Sequence, residues 1–189
     1  MNTVIITYFV HGTTTDNEKG IATGWNQGEL SDIGKRQSII LKEQVKDEEY
    51  DVVFCSDLKR AFDSARLAFE DREIPIIKDK RLRECNYGSL NGADEDEVGS
   101  IEIKSIRKPY PNGESYKEVE NRIRRFLQYL LEKYPGKHVA IVAHKAPQLA
   151  LEVLINKKTW QRAFEEDWRK KEPPEWRPGW VYILKENSI

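Results

Sequence analysis

The sequence predicts an α/β fold, a three-layer α/β/α sandwich around a central, mostly parallel sheet. Short runs rich in valine and isoleucine alternate along the 189 residues with segments of helical periodicity, an order that is typical of α/β proteins. Most of these runs are apolar throughout, as expected for strands covered by helices on both faces. No linker or internal repeat divides the chain, so we expect a single domain over residues 1–189.

Five apolar runs are predicted to be strands. They cover residues 4–10, 51–55, 74–78, 138–143 and 180–184. The first and the fourth each end at a histidine, His11 and His144. Parallel strands end at the same edge of a sheet, and open α/β sheets bind their ligands there. The two histidines are therefore expected to meet in one crevice.

Four segments are predicted to be helices. They cover about 31–47, about 57–70, about 115–134 and a stretch that begins after His144. In the first helix we expect the apolar side to be formed by Ile33, Ile39, Ile40 and Leu41. The third is the clearest, because Ser115 and Glu118 have the spacing of a capping box.

Two regions depart from this alternation. Residues 86–114 are rich in glycine and proline and carry an acidic run, so we predict an irregular excursion beside the crevice. Residues 157–180 contain four tryptophans, namely Trp160, Trp168, Trp176 and Trp180. We predict a C-terminal wrap that buries aromatic surface against the domain, and the alternative is an aromatic wall for a substrate.

Composition restricts the partners. The 31 basic and 32 acidic residues nearly cancel, which argues against a nucleic-acid partner bound through bulk positive charge. No stretch resembles a signal peptide or a membrane span, so we expect a cytoplasmic protein with no membrane partner. Cys55 and Cys85 form no metal-binding motif, and we expect neither a metal nor a cofactor. The aromatic C-terminus leaves a homodimer as a further expectation.

The segments that follow the strands carry reactive and anion-binding residues. A polar loop of small residues follows His11, and a second small-residue turn contains Thr23 and Gly24. Arg60 lies at the start of a helix, where backbone N–H groups and a guanidinium favour a phosphate. Alone, each residue has a structural alternative: Glu84 could pair with a neighbouring arginine, and Asn17 could be a turn residue.

Taken together and in order, these segments resemble the histidine phosphatase superfamily, the phosphoglycerate mutase-like family. His11-Gly12 with Thr14 and Asn17 resembles the motif Arg-His-Gly-x-Thr-x-x-Asn. The other resembling segments are Ser56–Ala61, Arg83-Glu84 with Tyr87-Gly88 and Asn91-Gly92, Pro111–Ser115, and Ala143-His144.

The resemblance implies a metal-independent phosphatase of small phosphorylated metabolites. His11 would be the nucleophile that forms a phosphohistidine. Arg60 and His144 would hold the phosphoryl oxygens, and Glu84 would be the general acid and base. The resemblance further implies that the phosphate cradle is completed by Asn17 and by the backbone N–H of Thr23 or Gly24.

The chain departs from the family pattern at two positions. Val10 stands where the family usually has arginine, and Lys145 stands where it usually has glycine. One interpretation is that Lys145 supplies the missing charge as a point cation. A second is a slower or differently selective phosphatase whose Lys145 points into solvent. A third is a non-catalytic relative that keeps the pocket to bind phosphate.

Two further functions remain open from the sequence. A phosphoglycerate mutase-type phosphotransferase would use the same residues, although such enzymes are usually larger. An interaction protein could use the tryptophan-rich C-terminus as a partner surface. The substrate itself depends on loop shapes that the sequence does not predict.

Overall fold

The structure is a computed structural model that describes residues 3–171 and 179–189. Its strands are β1 (Thr3–Val10), β2 (Ile21–Ala22), β3 (Val52–Cys55), β4 (Ile76–Lys78), β5 (Ala93–Asp94), β6 (His138–Ala143) and β7 (Trp180–Lys185). Its α-helices are α1 (Asp32–Gln44), α2 (Lys59–Phe69), α3 (Glu95–Ser100), α4 (Tyr116–Lys133), α5 (Lys145–Leu154) and α6 (Trp160–Glu165).

The main sheet has the strand order β4-β3-β6-β1-β7. The first four of these strands are parallel, and β7 runs antiparallel to β1 at the edge. All five predicted strands are present, and the third begins late, at Ile76, after Pro75. The expected mostly parallel sheet is confirmed. The short strands β2 and β5 form a separate pair, which the sequence analysis did not predict.

Helices cover both faces of the sheet. Tyr8 of β1 belongs to a buried cluster with Phe126 of α4 and Leu149 of α5. The next residue, Phe9, belongs to a second buried cluster with Phe69 of α2. Because successive side chains of a strand point to opposite faces, the two clusters lie on opposite sides of the sheet. The predicted three-layer sandwich is therefore confirmed.

The four predicted helices are present, but the expected apolar side of α1 is wrong at three of its four residues. Ile33, Ile39 and Ile40 are 45%, 51% and 53% exposed, whereas Leu41 is buried as expected. The other buried positions of α1 are Gly34 and Ser38. Gly34 lies so close to the loop after β1 that a β-carbon there would be 2.0 Å from the Thr13 carbonyl oxygen. The backbone contact of this small residue, together with the packing of Leu41, therefore orients the helix.

The two irregular regions contain short helices. Residues 86–114 include β5, α3 and two 3₁₀ turns, Gly88–Leu90 and Lys104–Ile106. Within the C-terminal region, Trp160 is buried and packs against Tyr116 and Phe164. Trp168 stacks on Trp180 at a centroid distance of 5.1 Å, whereas Trp176 lies outside the described residues. Within residues 3–171 and 179–189, no helix has the length and apolarity required to cross a bilayer.

Candidate active site

The carboxyl ends of β1 and β6 bring two histidines together, as expected. The strands are paired in parallel up to Val10 and Ala143, and the His11 backbone N–H donates to the Ala143 carbonyl at 3.1 Å. The imidazole centroids of His11 and His144 are consequently 5.0 Å apart. Adjacent strand ends are a rigid support, so the spacing of the two rings is set by the sheet itself.

The ring of His11 is oriented by its own loop. Its Nδ1 lies 2.7 Å from the Gly12 carbonyl oxygen. Because a carbonyl can only accept, Nδ1 is the protonated nitrogen and Nε2 carries the lone pair. The Gly12 N–H donates to Ser64 Oγ at 2.9 Å, and that hydroxyl donates to the Arg60 carbonyl at 2.8 Å. Ser64 thus joins the loop after His11 to α2.

Both imidazoles are held neutral. Burial is the largest cause, and the nearby Arg60 charge the second, of a pKa of His11 lowered from 6.5 to about 3. The same two causes lower the pKa of His144 well below its usual value. Desolvation and a neighbouring cation both disfavour imidazolium. At neutral pH, His11 therefore offers an unprotonated nitrogen.

His144 is fully buried, and its backbone is fastened to β1. The Tyr8 hydroxyl donates to the His144 carbonyl at 2.7 Å and accepts from the His144 N–H at 3.0 Å. Neither ring nitrogen of His144 has a hydrogen-bond partner among the residues that the structure describes. A buried polar group of this kind needs a functional explanation, and the ring lies on the wall of the cavity described below.

Arg60, at the start of α2, is only 2% exposed. Its Nη1 donates to the Asn26 carbonyl and its Nη2 to the Gly24 carbonyl, each at 2.8 Å. Burial lowers the pKa of this guanidinium, and the nearby Glu84 carboxylate acts in the opposite direction. The backbone carbonyls fix the orientation of the guanidinium, while no acceptor within the described ranges bonds to Nε.

Glu84 binds the amino-terminal end of α5. Its Oε2 accepts from the Lys145 N–H at 3.1 Å, and its Oε1 accepts from the N–H groups of Ala146, at 3.0 Å, and Cys85, at 2.8 Å. The neighbouring arginine, Arg83, instead binds Asp57 through two bonds of 2.7 Å. The simple ion-pair alternative for Glu84 is therefore wrong, and backbone amides position this carboxylate.

The three residues expected in the cradle lie in the two loops above the histidines. Asn17 Oδ1 accepts from the N–H and the hydroxyl of Thr14, at 3.0 and 2.8 Å, so the side chain does brace its own turn. Thr23 donates its hydroxyl to Asp16 at 2.8 Å. Gly24 contributes a carbonyl to Arg60. These contacts organise the loops around the guanidinium.

All eight residues selected from the sequence line one cavity of about 600 Å³. They are His11, Asn17, Thr23, Gly24, Arg60, Glu84, His144 and Lys145. Val10 lines the same cavity without contributing a charge. Within the described part of the chain, no three His, Cys, Asp or Glu side chains are grouped so that they could hold a metal ion.

Lys145 does not extend into solvent. Its side chain is 28% exposed, and its Nζ lies 2.6 Å from Glu102 Oε1 and 4.0 Å from Asp167 Oδ2. The interpretation that places it in open solvent is wrong. Its ammonium is already paired with buried carboxylates on one side of the cavity.

Sequence reasoning missed several residues of the site. Tyr8 and Ser64 act through hydrogen bonds between distant segments, and no local pattern marks such residues. Arg169 and Lys170 also line the cavity, and here a signal existed. The basic run 169–171 directly follows Trp168, and three adjacent cations are a signal for an anion site.

Comparison with known proteins identifies the family to which this geometry belongs. Residues 8–175 match the family described as "Histidine phosphatase superfamily (branch 1)". A "2,3-bisphosphoglycerate-dependent phosphoglycerate mutase" of Cytophaga hutchinsonii is 32% identical over 162 residues, which cover 78% of this chain and 75% of the relative. An "Uncharacterized phosphatase PhoE" of Bacillus subtilis is 33% identical over 144 residues, covering 75% and 72%.

A solved structure supports the same fold. The structure of Bacillus stearothermophilus YhfR superposes with a TM-score of 0.80 at 22% identity, covering 96% of this chain and 91% of that one. At this identity the similarity shows a shared fold and gives no information about the substrate. The curated relatives include both mutases and phosphatases.

Proposed function

Since the chain belongs to the histidine phosphatase superfamily, we propose that it hydrolyses small phosphorylated metabolites through a phosphohistidine formed on His11, without a metal. The observation that carries the proposal is the state of the His11 ring. Its Nδ1 is bonded to the Gly12 carbonyl at 2.7 Å, and its pKa is lowered to about 3. A neutral, oriented Nε2 in a cavity with a buried guanidinium is suited to attack phosphorus.

In the first step, Nε2 of His11 forms a bond to phosphorus while the bond from phosphorus to the ester oxygen breaks. Arg60 binds phosphoryl oxygens and offsets their charge. His144, being neutral, donates one ring N–H to the same group. Glu84 delivers a proton to the departing alcohol oxygen. The products of this step are the free alcohol and the phosphohistidine.

In the second step, water attacks the phosphohistidine. Glu84, left as a carboxylate, takes a proton from the water as the oxygen bonds to phosphorus. The bond between phosphorus and Nε2 breaks, and the electron pair returns to the ring. Inorganic phosphate leaves, and both His11 and Glu84 regain their starting protonation.

Turnover of an aryl phosphate in the presence of a metal chelator tests this proposal. We expect chelator-resistant release of inorganic phosphate by the wild type, and its loss in His11→Ala. His138→Ala is the matched control, since the remaining histidine of the chain begins β6, at the opposite end from His144. Rapid quenching at alkaline pH followed by intact-protein mass analysis should detect the phosphorylated wild type.

Three results would contradict the proposal. Chelator-sensitive activity would exclude the metal-free route, and equal activity in His11→Ala would exclude this nucleophile. Activity that appears only in Val10→Arg would indicate a natural phosphate-binding protein without turnover. Transfer of the phosphoryl group to an added organic acid, in preference to water, would indicate a mutase instead.

A further inference from the structure

The charges at the strand ends are too few for the proposed substrate. The strand-end cluster comprises His11, Arg60, Glu84 and His144. Both histidines are neutral at pH 7, so Arg60 is the one cation of this cluster. A phosphomonoester brings about two negative charges near neutral pH. A second cation is therefore needed in this cavity to offset them.

A second group of charged residues lines the same cavity. This rim cluster comprises Glu102, Lys145, Asp167, Arg169 and Lys170. Its carboxylates are nearly buried, with Glu102 6% and Asp167 3% exposed, and Glu95 and Asp96 of α3 add two further carboxylates to the lining. Among the described residues that line the cavity, the lysines and arginines other than Arg60 all belong to the rim cluster. The second cation must therefore come from this cluster.

Two of the three rim cations share one carboxylate. Lys145 Nζ lies 2.6 Å from Glu102 Oε1, and Lys170 Nζ lies 3.4 Å from Glu102 Oε2. A lysine paired in this way presents a point charge that its partner largely offsets. Lys145, the residue that sequence reasoning favoured as the replacement cation, is therefore already engaged.

Arg169 is also paired with a carboxylate, but a guanidinium has more N–H donors than this pairing uses. Its Nη1 donates to Asp167 Oδ1 at 2.9 Å and its Nη2 to Gln148 Oε1 at 2.8 Å. Gln148 is a buried residue of α5, the helix that begins immediately after His144. The Trp168 ring lies 4.5 Å from the guanidinium carbon. Of the five N–H donors of a guanidinium, these bonds use two, and within the described ranges no acceptor bonds to Nε.

The Arg169 charge also reaches the reacting groups. It contributes to the lowered pKa values of both His11 and His144. Val10, the last residue of β1, lines the same cavity with an apolar side chain. A planar guanidinium can bind two phosphoryl oxygens at once, which an ammonium cannot do.

We propose that Arg169 is the second phosphate-binding cation of this site, positioned by Asp167 and Gln148 and acting together with Arg60 on the phosphoryl group. The inference rests on the proposed function, because it concerns the same phosphoryl group. It adds a substrate-contacting residue from the C-terminal segment, far in sequence from the strand ends.

Inorganic phosphate binding, measured by titration calorimetry, tests this assignment without requiring turnover. We expect Arg169→Ala to weaken phosphate binding by roughly 10–100-fold, and Arg169→Lys to recover part of the loss. Arg162→Ala is the matched control, because Arg162 is an exposed arginine of α6 that binds Glu166. Lys145→Met tests the rival cation and should weaken binding less than Arg169→Ala.

A second measurement separates charge from folding. Arg169→Ala should lower kcat/KM for an aryl phosphate by roughly 10²-fold, and added guanidinium chloride should restore part of it relative to equal sodium chloride. Thermal unfolding of Arg169→Ala at the same temperature as Arg162→Ala would show that the loss of activity does not come from a loss of folding.

The outcomes distinguish the two proposals. Wild-type phosphate binding without turnover refutes hydrolysis but leaves the role of Arg169 intact if Arg169→Ala abolishes that binding. Phosphate binding by Arg169→Ala equal to that of Arg162→Ala overturns the Arg169 assignment, and so does a greater loss in Lys145→Met. A wild type that binds no phosphate overturns it as well.

Discussion

The strand-end cluster and the rim cluster are held in place by different partners. At the strand ends, three of the four side chains bond to backbone: Glu84 to three N–H groups, Arg60 to carbonyls, and His11 to the Gly12 carbonyl. At the rim, the bonds run mainly between side chains, as in the pair of Lys145 with Glu102.

The different partners indicate that the two clusters have different roles. Backbone partners cannot leave when a substrate arrives, so the strand-end cluster is preorganised for one reaction. At the rim, both partners of an ion pair are side chains with rotatable bonds, so the positions of the charges are less rigidly fixed than at the strand ends. We infer that the strand ends determine the chemistry, while the rim determines affinity and substrate choice.

The largest expected effect comes from breaking the strand-end cluster at Glu84. Glu84→Gln should lower kcat by roughly 10²–10⁴-fold, because the amide cannot protonate a leaving alcohol. The loss should be greater for an alkyl phosphate than for an aryl phosphate, whose leaving group needs less protonation. Parallel kinetics on the two esters make the comparison, and equal losses on both would contradict the role of general acid.

The pH dependence of stability tests whether the partly buried His11 is neutral. An unfolded chain protonates His11 near pH 6.5, whereas the folded chain does so only near pH 3. Between pH 6.5 and about pH 3 the unfolded state binds one more proton than the folded state. The free energy of unfolding therefore falls by about 1.4 kcal/mol for each unit by which the pH decreases. Denaturant titrations from pH 7 to 4 should show a shallower decline for His11→Gln, and parallel declines would contradict the low pKa.

A smaller effect is expected at the bond between the nucleophile's loop and α2. Ser64→Ala leaves the buried Gly12 N–H without its acceptor, at a cost of about 1–3 kcal/mol of unfolding free energy. Ser38→Ala is a useful comparison, because that buried hydroxyl donates only to the Gly34 carbonyl of its own helix. Urea unfolding should rank Ser64→Ala as the more damaging, and the reverse order would argue against the link.

The smallest effect is expected from a substitution at Glu102 of the rim cluster. Glu102→Gln frees the charge of Lys145 and Lys170, so KM for an anionic substrate should fall a few-fold with little change in kcat. Glu97→Gln removes an equal charge from α3 at a residue that does not line the cavity. Steady-state kinetics at two salt concentrations compare the two, and a change confined to kcat would contradict the division of roles.

The contrast also explains what could be predicted from the sequence. The strand-end residues follow strands, and the carboxyl ends of parallel strands converge, so His11 and His144 were predicted to meet. At the rim, Lys145 was selected and the basic run 169–171 was an available signal. The pairing of Lys145 with Glu102 could not be predicted, because it depends on where the irregular region 86–114 places one side chain. The buried side of α1 was predicted wrongly for a related reason, since the contact of Gly34 with Thr13 leaves no hydrophobic signal.

The Tyr8 hydroxyl, which bonds both the N–H and the carbonyl of His144, has a consequence for local unfolding. It ties β1 to β6, the central strand of the sheet, at the ends where His11 and His144 lie. Because core strands generally open only with nearly the full free energy of unfolding, we expect the amides there to be among the slowest of the chain to exchange their hydrogens with solvent. A protein that retains its sheet would then also retain the spacing of its two histidines.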